Sequence, residues 1–446
     1  LKGMEEPGRA GGRKVYHRAD VVHGKCEWAP CQLEAVQFHG VRNTKTCALL
    51  KEVSYLYKCK TVDELVKNSH IAAKHLQEVG LMENAAPIID TSATGNGYIV
   101  NFVVKEPKPF TLGAKLGISS QGDADMSMHG GKQSVRGQGE ALDAAYSYTL
   151  KGDHNFNVGW TKPLLGWQRY ENVGASLSRS LAFLPWNKCN VEENALVAFF
   201  NRHFYERKML FSSKVNAIWR TLRATPETSF FVREHAGHTL KMSLENSAAF
   251  DTRDRPILPS KGVFARISQE IAGAFGLGDA SFHRYQIDIQ AAAPLFLGSF
   301  LVGSLRASAI DPIGSNEMHV LDRVYLGGQH DIRGFALNSI GGDRVEGCTV
   351  GGGSSVAMAL HLFRPLKPAD LLFIHGFVAS GSVSSLHSRR PFRELYDSQR
   401  VSAGLGLCFV FKNIFRLELN YVYPLKFAPV DSFQQGIHFG AGVNFL

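Results

Sequence analysis

What most restricts this chain is an alternation of period two that runs from Phe110 to Leu446. Phe415, Leu417, Leu419, Tyr421 and Tyr423 fall on one face of a strand, and Arg416, Glu418 and Asn420 on the other. Tyr285, Ile287, Ile289 and Ala291 alternate in the same way with Arg284, Gln286, Asp288 and Gln290. Leu240, Met242 and Leu244 stand against Lys241, Ser243 and Glu245. Ile437, Phe439, Ala441, Val443 and Phe445 stand against His438, Gly440, Gly442 and Asn444. Successive side chains of a strand point to opposite faces, so each stretch has one apolar and one polar face. The strands run about ten residues, enough to cross a bilayer at a tilt, where strands of soluble sheets average about five or six. Charges in mid-strand need water, which a polar lumen supplies, and closure removes the sheet edges that hydrocarbon forbids. The expected fold class is membrane all-β: a transmembrane antiparallel β-barrel of about sixteen strands over residues 107–446.

The strands centre near residues 115, 128, 145, 158, 176, 198, 216, 244, 268, 287, 304, 359, 375, 405, 418 and 441. Thr228–Arg233 is ambiguous and can be read as extending a neighbouring strand. A Gly-rich connection over residues 312–353 is about forty residues long, which for a loop points to function. It carries Tyr325-Leu326-Gly327-Gly328 and then Ile332-Arg333-Gly334-Phe335.

Before Pro107 the periodicity is different. Residues 1–33 are polar, Gly-rich and basic, and read as a poorly ordered lead-in. Ala35–Phe38 suits a strand and Thr44–Tyr57 a helix. Thr61 with Glu64 makes a capping box; Leu65, Val66, Ser69, Ala72, Ala73, Leu76 and Val79 then share one helical face, and Gly80 stops it. Two strands follow, Ala85–Thr91 and Tyr98–Lys105, about an Asn96–Gly97 turn. Residues 34–106 are thus predicted as a small β-α-α-β-β domain whose sheet edge can grip an extended peptide by strand addition.

No run of about 18 apolar residues marks a transmembrane helix, a test that barrel strands escape. The net charge of +9 is spread along the chain without a dense run, so nucleic acid is not an expected partner. Cys26, Cys31, Cys47, Cys59, Cys189, Cys348 and Cys408 fit no metal template and read as free thiols, as in a chain made in a reducing cytosol. There is no Gly-x-Ser-x-Gly elbow, His-Glu-x-x-His helix or phosphate-binding Gly loop. Neither an enzyme nor a cofactor is expected. No secretory signal is visible, and the first residue is Leu1 rather than Met.

The ordered motifs resemble those of the bacterial and organellar outer-membrane assembly-factor superfamily. Ile332-Arg333-Gly334-Phe335 after Tyr325–Gly328 is similar to its signature, which in that superfamily lies on a long loop folded back into the barrel. Asp251-Thr252-Arg253-Asp254-Arg255-Pro256, with Pro259 and Gly262, is similar to a second segment. Residues 34–106 resemble one polypeptide-transport-associated (POTRA) repeat. One repeat, about sixteen strands and no visible signal are similar to the core barrel subunits of mitochondrial sorting and assembly machineries.

The resemblance implies that Arg333 anchors the loop to a lumenal carboxylate. In bacterial relatives that acid sits in an aromatic-x-acid pattern; here the nearest equivalent, Phe377-Val378-Ala379, has none, which leaves Glu418, Asp288 and Glu270 as candidates. It also implies a location in the mitochondrial outer membrane, with the N-terminal domain toward the intermembrane space. The implied function is insertion of unfolded β-barrel precursors, with other assembly subunits and membrane lipid as partners. A lateral gate is expected between the first strand, which holds Gly113 and Gly117, and the last, which holds Gly440 and Gly442, because glycine weakens pairing. The segment from His438 through Gly440 and Val443 to Phe445 further resembles the sorting signal of mitochondrial barrel precursors (polar, x, Gly, x, x, hydrophobic, x, hydrophobic). A polypeptide-translocating pore of the same superfamily and a metabolite porin are the alternatives.

Overall fold

In a computed structural model, the described residues are 31–92, 97–118, 124–205, 207–273, 276–314, 317–342, 344–366, 371–411 and 415–442. The predicted lead-in, except for residues 31–33, lies outside them, as do Asn96, Val443 and Phe445. The chain forms two compact units. One takes Leu1–Thr111, Lys132–Leu142 and Thr161–Asn172, and the other the remainder.

The first unit holds β1 (Leu33–His39), α1 (Thr46–Val53), a 3-10 turn (Ser54–Lys58), α2 (Val62–Glu78), β2 (Asn84–Thr91) and β3 (Tyr98–Lys105). β3 is central, parallel to β1 and antiparallel to β2. The Thr61 half of the capping box forms, its side chain accepting from the Glu64 N–H at 3.3 Å, while Glu64 reaches one residue further back and accepts from the Lys60 N–H at 2.9 Å. Leu49, Leu65, Leu76, Val100 and Phe102 make the core. Glu52 and His75 are buried beside it and pair at 2.8 Å. The Gly166 N–H donates to Glu52 at 2.6 Å, and Trp167 stacks on Tyr55, so the turn at 164–170 belongs to this unit.

The 16-stranded sheet comprises β4 (Phe110–Ile118), β5 (Ala124–Gln133), β6 (Ala141–Thr149), β7 (His154–Pro163), β8 (Glu171–Leu184), β9 (Cys189–Phe204), β10 (Met209–Ala224), β11 (Gly237–Asp251), β12 (Gly262–Ala272), β13 (Phe282–Pro294) and β14 (Phe300–Pro312). A small hairpin, β15 (Arg344–Val345) and β16 (Cys348–Thr349), interrupts the series. The sheet resumes with β17 (Ser354–Leu366), β18 (Leu372–Ser384), β19 (Arg400–Phe411), β20 (Phe415–Lys426) and β21 (Gly436–Gly442). Each strand pairs with its neighbour in chain order, and β14 with β17 across the long loop. This is the antiparallel transmembrane barrel that the alternation predicts. Leu419, Tyr421 and Tyr423 are exposed on the outside of β20, while Arg416, Glu418 and Asn420 are buried inside. Among the described residues no helix is long and apolar enough to cross a membrane; the strands cross instead.

Thr228–Arg233 extends no strand. It contains a helical turn, α3 (Phe230–Arg233), whose Val232 packs on Cys189, Leu222, Val320 and Cys348. A last helix, α4 (Pro391–Asp397), lies between β18 and β19.

Candidate functional site

The loop between β14 and β17 folds inward and is held at three charged stations. At the first, Asp322 receives both terminal nitrogens of Arg220 of β10, at 2.8 and 2.9 Å, with Lys241 of β11 at 3.7 Å. At the second, Asp331 pairs with Arg306 of β14. At the third, Arg333 donates to Glu418 of β20 at 3.2 Å. Arg333 is 2 % exposed and Glu418 1 %, so both charges are out of water and rely on protein partners.

The third station is the most elaborate. Arg416 contacts the other oxygen of Glu418, and Asn420 donates to the carboxylate at 2.8 Å. Arg333 also lies 3.3 Å from His361 Nε2, with its guanidinium 5.0 Å from the centre of the Phe377 ring. That ring belongs to a checkerboard in which His361 faces Phe377 and Phe363 faces His375 across β17 and β18. The four rings are stacked, with centroids 4.9–5.8 Å apart. The aromatic member of the expected aromatic-x-acid pattern is therefore in contact with the loop arginine, while the acid comes from β20.

Of the three candidate carboxylates, Glu418 is the one that touches Arg333. Asp288 pairs with Arg306 at 2.9 Å, and Glu270 pairs with Lys241 at 2.7 Å and Arg284 at 3.3 Å. Both still belong to the clamp at one remove. Arg306 bridges Asp288 to Asp331, and Lys241 bridges Glu270 to Asp322.

The tetrapeptide is shaped by its neighbours. Gly334 has φ +87°, and a Cβ there would meet Val422 at 2.9 Å. Ile332 fills the space left by Gly381, where an added Cβ would lie 2.2 Å from the isoleucine. Phe335 pairs with Phe433 through an isolated bridge. The Gln434 N–H donates to Gly334 O, and the Ala336 N–H to Ser432 O, both at 2.8 Å. The loop thus grips the wall of β20 and also the turn that leads into β21.

Residues 135–445 match the Omp85 superfamily domain. The chain belongs to the Omp85 superfamily. Among its relatives, the sorting and assembly machinery component 50 homolog of Xenopus tropicalis is 32% identical over 431 residues, covering 93% of this chain and 90% of the relative. The Homo sapiens homolog is 30% identical with the same coverage. Among solved structures, BamA from Haemophilus ducreyi lacking POTRA domains 1-3 superposes with a TM-score of 0.79 at 16% identity, covering 92% of this chain and 84% of that one, which shows the fold.

In this Omp85 barrel, the second motif builds the turn between β11 and β12. Arg253 is bidentate on Asp251 (2.9 and 2.7 Å), and its guanidinium sits 4.4 Å from the Phe264 ring centre. Asp254 accepts from Ser260 Oγ at 2.6 Å and from the N–H groups of Ser260 and Lys261. Burial alone raises the Asp254 carboxyl, but these donors and Arg255 bring it down to about 2. Gly262, at φ +106°, lets the chain pass Thr252 O, which a Cβ would meet at 2.4 Å.

Gly113 and Gly117 lie in β4, and His438 and Gly440 in β21. The His129 ring occupies the space beside Gly113. In β21, His438, Gly440 and Gly442 are the register partners of Asn420, Glu418 and Arg416. The glycines of the signal-like strand therefore lie directly across from the Arg333 clamp. Sequence reading missed the stations at Asp322 and Asp331 and the Glu52–His75 pair. A signal for the pair was present, since Glu52 follows Leu49 by three residues on the apolar face of α1.

Proposed function

We propose that this protein folds β-barrel precursors and integrates them into the mitochondrial outer membrane through the seam between β4 and β21. It is a multi-pass β-barrel of that membrane. Its Omp85 membership and its likeness to sorting and assembly machinery component 50 homologs support the insertase reading. The observation that carries the seam is the placement of Gly440 and Gly442 opposite Glu418 and Arg416. β21 thus contributes no side chain at the two positions facing the buried charges. A strand so lightly held is cheap to displace, and the edge it leaves templates another strand. On the outside, Leu112 of β4 is 89 % exposed and Ile437 of β21 75 %.

On this reading, the loop is the frame that keeps β20 in place while β21 yields. Precursor folding and burial in lipid supply the driving force. The small β-α-α-β-β domain faces the intermembrane space and receives the extended precursor, and partner subunits complete the machine. The inward-folded loop, with no residue from Val320 to Ile340 exposed, favours this reading over a steadily conducting porin. The test is import of a radiolabelled barrel precursor into mitochondria whose own barrel-assembly subunit has been depleted. Expression of this chain should restore the protease-resistant, membrane-integrated precursor. Restored precursor passage without integration would instead support a translocating pore.

A further inference from the structure

The connection between β18 and β19 carries a feature that barrel insertion does not use. On β18, Ile374 and Val378 point outward and are exposed, so Ser380 and Ser382 further along share the lipid-facing side. Yet Ser382 is fully buried. Gln399, just after α4, covers it: Gln399 donates to Ser382 at 3.0 Å, contacts Ser380, and also donates to Leu395 O at 3.0 Å. Helix α4 is therefore laid against the outer wall of the barrel at its rim. Leu395 anchors it, and Glu394 accepts from the N–H and Oγ of Ser385, at 2.8 and 3.1 Å. From this anchored helix Phe392 and Tyr396 project one turn apart, 87 % and 79 % exposed. Beside them Arg390 and Arg393, with Ser388 and Ser398, line a cleft of about 470 Å³ that also holds the carboxylates of Glu394 and Asp397. Glu394 is taken up by Ser385, and Asp397 lies 3.7 Å from Arg393. Arg389 adds a third cation next to the cleft.

Below α4 on the same outer face runs an apolar trough of about 630 Å³. It arises from register. Leu362, Gly376, Leu405 and Tyr421 form one outward row, and Leu360, Val378, Ala403 and Tyr423 the next. Gly376 and Ala403 leave the gap between bulky neighbours. From Val378 to Ser382 is four residues, about 14 Å along the strand. A cleft lined by two arginines, two carboxylates and two serines, with Arg389 adjoining Arg390 in the chain, thus stands at the rim directly above an apolar trough in the lipid-facing wall.

We propose that cleft and trough together hold one anionic phospholipid. Arg390 and Arg393 take the phosphate, Phe392 and Tyr396 lie at the interface where amphipathic rings settle, and one acyl chain lies along Gly376. The proposal rests on the outer-membrane reading but not on insertase activity, so the two fail separately.

The experiment places the purified full-length chain in nanodiscs of phosphatidylcholine doped with phosphatidylinositol and counts retained lipids by native mass spectrometry. Wild type should retain one phosphatidylinositol in preference to phosphatidylcholine, by about tenfold for the arginine contacts at a membrane surface. Arg390→Gln with Arg393→Gln should abolish the preference. Gly376→Leu should lower retention of the lipid with both arginines intact. Heat-modified gel mobility verifies that each variant is a folded barrel. An excess of inorganic phosphate should leave retention unchanged. Equal retention of the two lipids by wild type, or wild-type retention by the folded variants, overturns the proposal. So does displacement by inorganic phosphate with no effect of Gly376→Leu, which would leave only a phosphate site. Copurification of another subunit that depends on Phe392 and Tyr396, without lipid preference, would make α4 a protein dock and equally overturn it.

Discussion

Removing either end of the buried pair at the third station should not cost the same. Glu418 touches two arginines, Arg333 and Arg416, and accepts from Asn420. Arg333→Ala removes one cation and leaves the carboxylate paired with the other, so the loss should sit near the low end of the range for a broken buried pair, roughly 3 kcal/mol. Glu418→Gln leaves two guanidinium groups facing one another without the anion between them, and should cost roughly 5 kcal/mol. Arg333→Lys keeps the charge but loses the planar contact with Phe377, and should cost about 1–2 kcal/mol. The assay is reversible unfolding of the purified barrel in detergent by urea, followed by heat-modified gel mobility and tryptophan fluorescence, with the Arg333→Ala/Glu418→Gln double variant completing a cycle. The double variant should lose less than the sum of the singles. If Arg333→Ala is as costly as Glu418→Gln, or if both lie within about 0.5 kcal/mol of wild type, the three-residue clamp is not what holds the loop.

Three further outcomes follow from the same geometry. Gly334→Ala places a side chain at φ +87° against Val422 and should cost about 1–3 kcal/mol by the same unfolding assay, whereas Gly152→Ala, which meets nothing within 4 Å, should cost mainly its backbone strain. Ile332→Ala empties a fully buried site against Gly381 and Ala379 and should cost about 2–5 kcal/mol, read as a lower urea midpoint without a change of slope. The Asp254 carboxyl is held at about 2, below its unfolded value, so its stabilising contribution is complete above about pH 4 and fades as pH falls toward 2; Asp254→Asn should remove that slope from acid unfolding measured across this window.

The barrel was legible because lipid outside and water inside impose a two-residue period that is plain in strands such as β13 and β20, and each expected strand centre falls within an observed strand. The loop motif was legible as sequence, but its partner was not. Glu418, Asp288 and Glu270 all sit on inward faces, and only the path of the loop, which brings Arg333 to β20, separates them. The aromatic-x-acid pattern misled in half its content: Phe377 does lie under the arginine, while the acid comes from two strands further along the sheet. Phe230–Arg233 could not be assigned from pattern because four residues are too few to show a period. Helix α4 carried a usable cue in Pro391 at its first turn, although nothing local says that it lies against the outer wall. That follows from Gln399 reaching Ser382.

The most direct test of the central claim is a covalent lock on the seam. Gly113 is a poor site, because the His129 ring fills its space. Leu112 and Ile437, both exposed on the outer face, are better, with Phe439 as a second partner to scan register. Leu112→Cys with Ile437→Cys, in a chain whose native cysteines are replaced, is oxidised in isolated mitochondria, and integration of a radiolabelled barrel precursor is followed before and after reduction. A lateral route predicts that the oxidised protein binds precursor but fails to integrate it, and that reduction restores integration. Integration at the full rate by a protein shown to be cross-linked would contradict the lateral route.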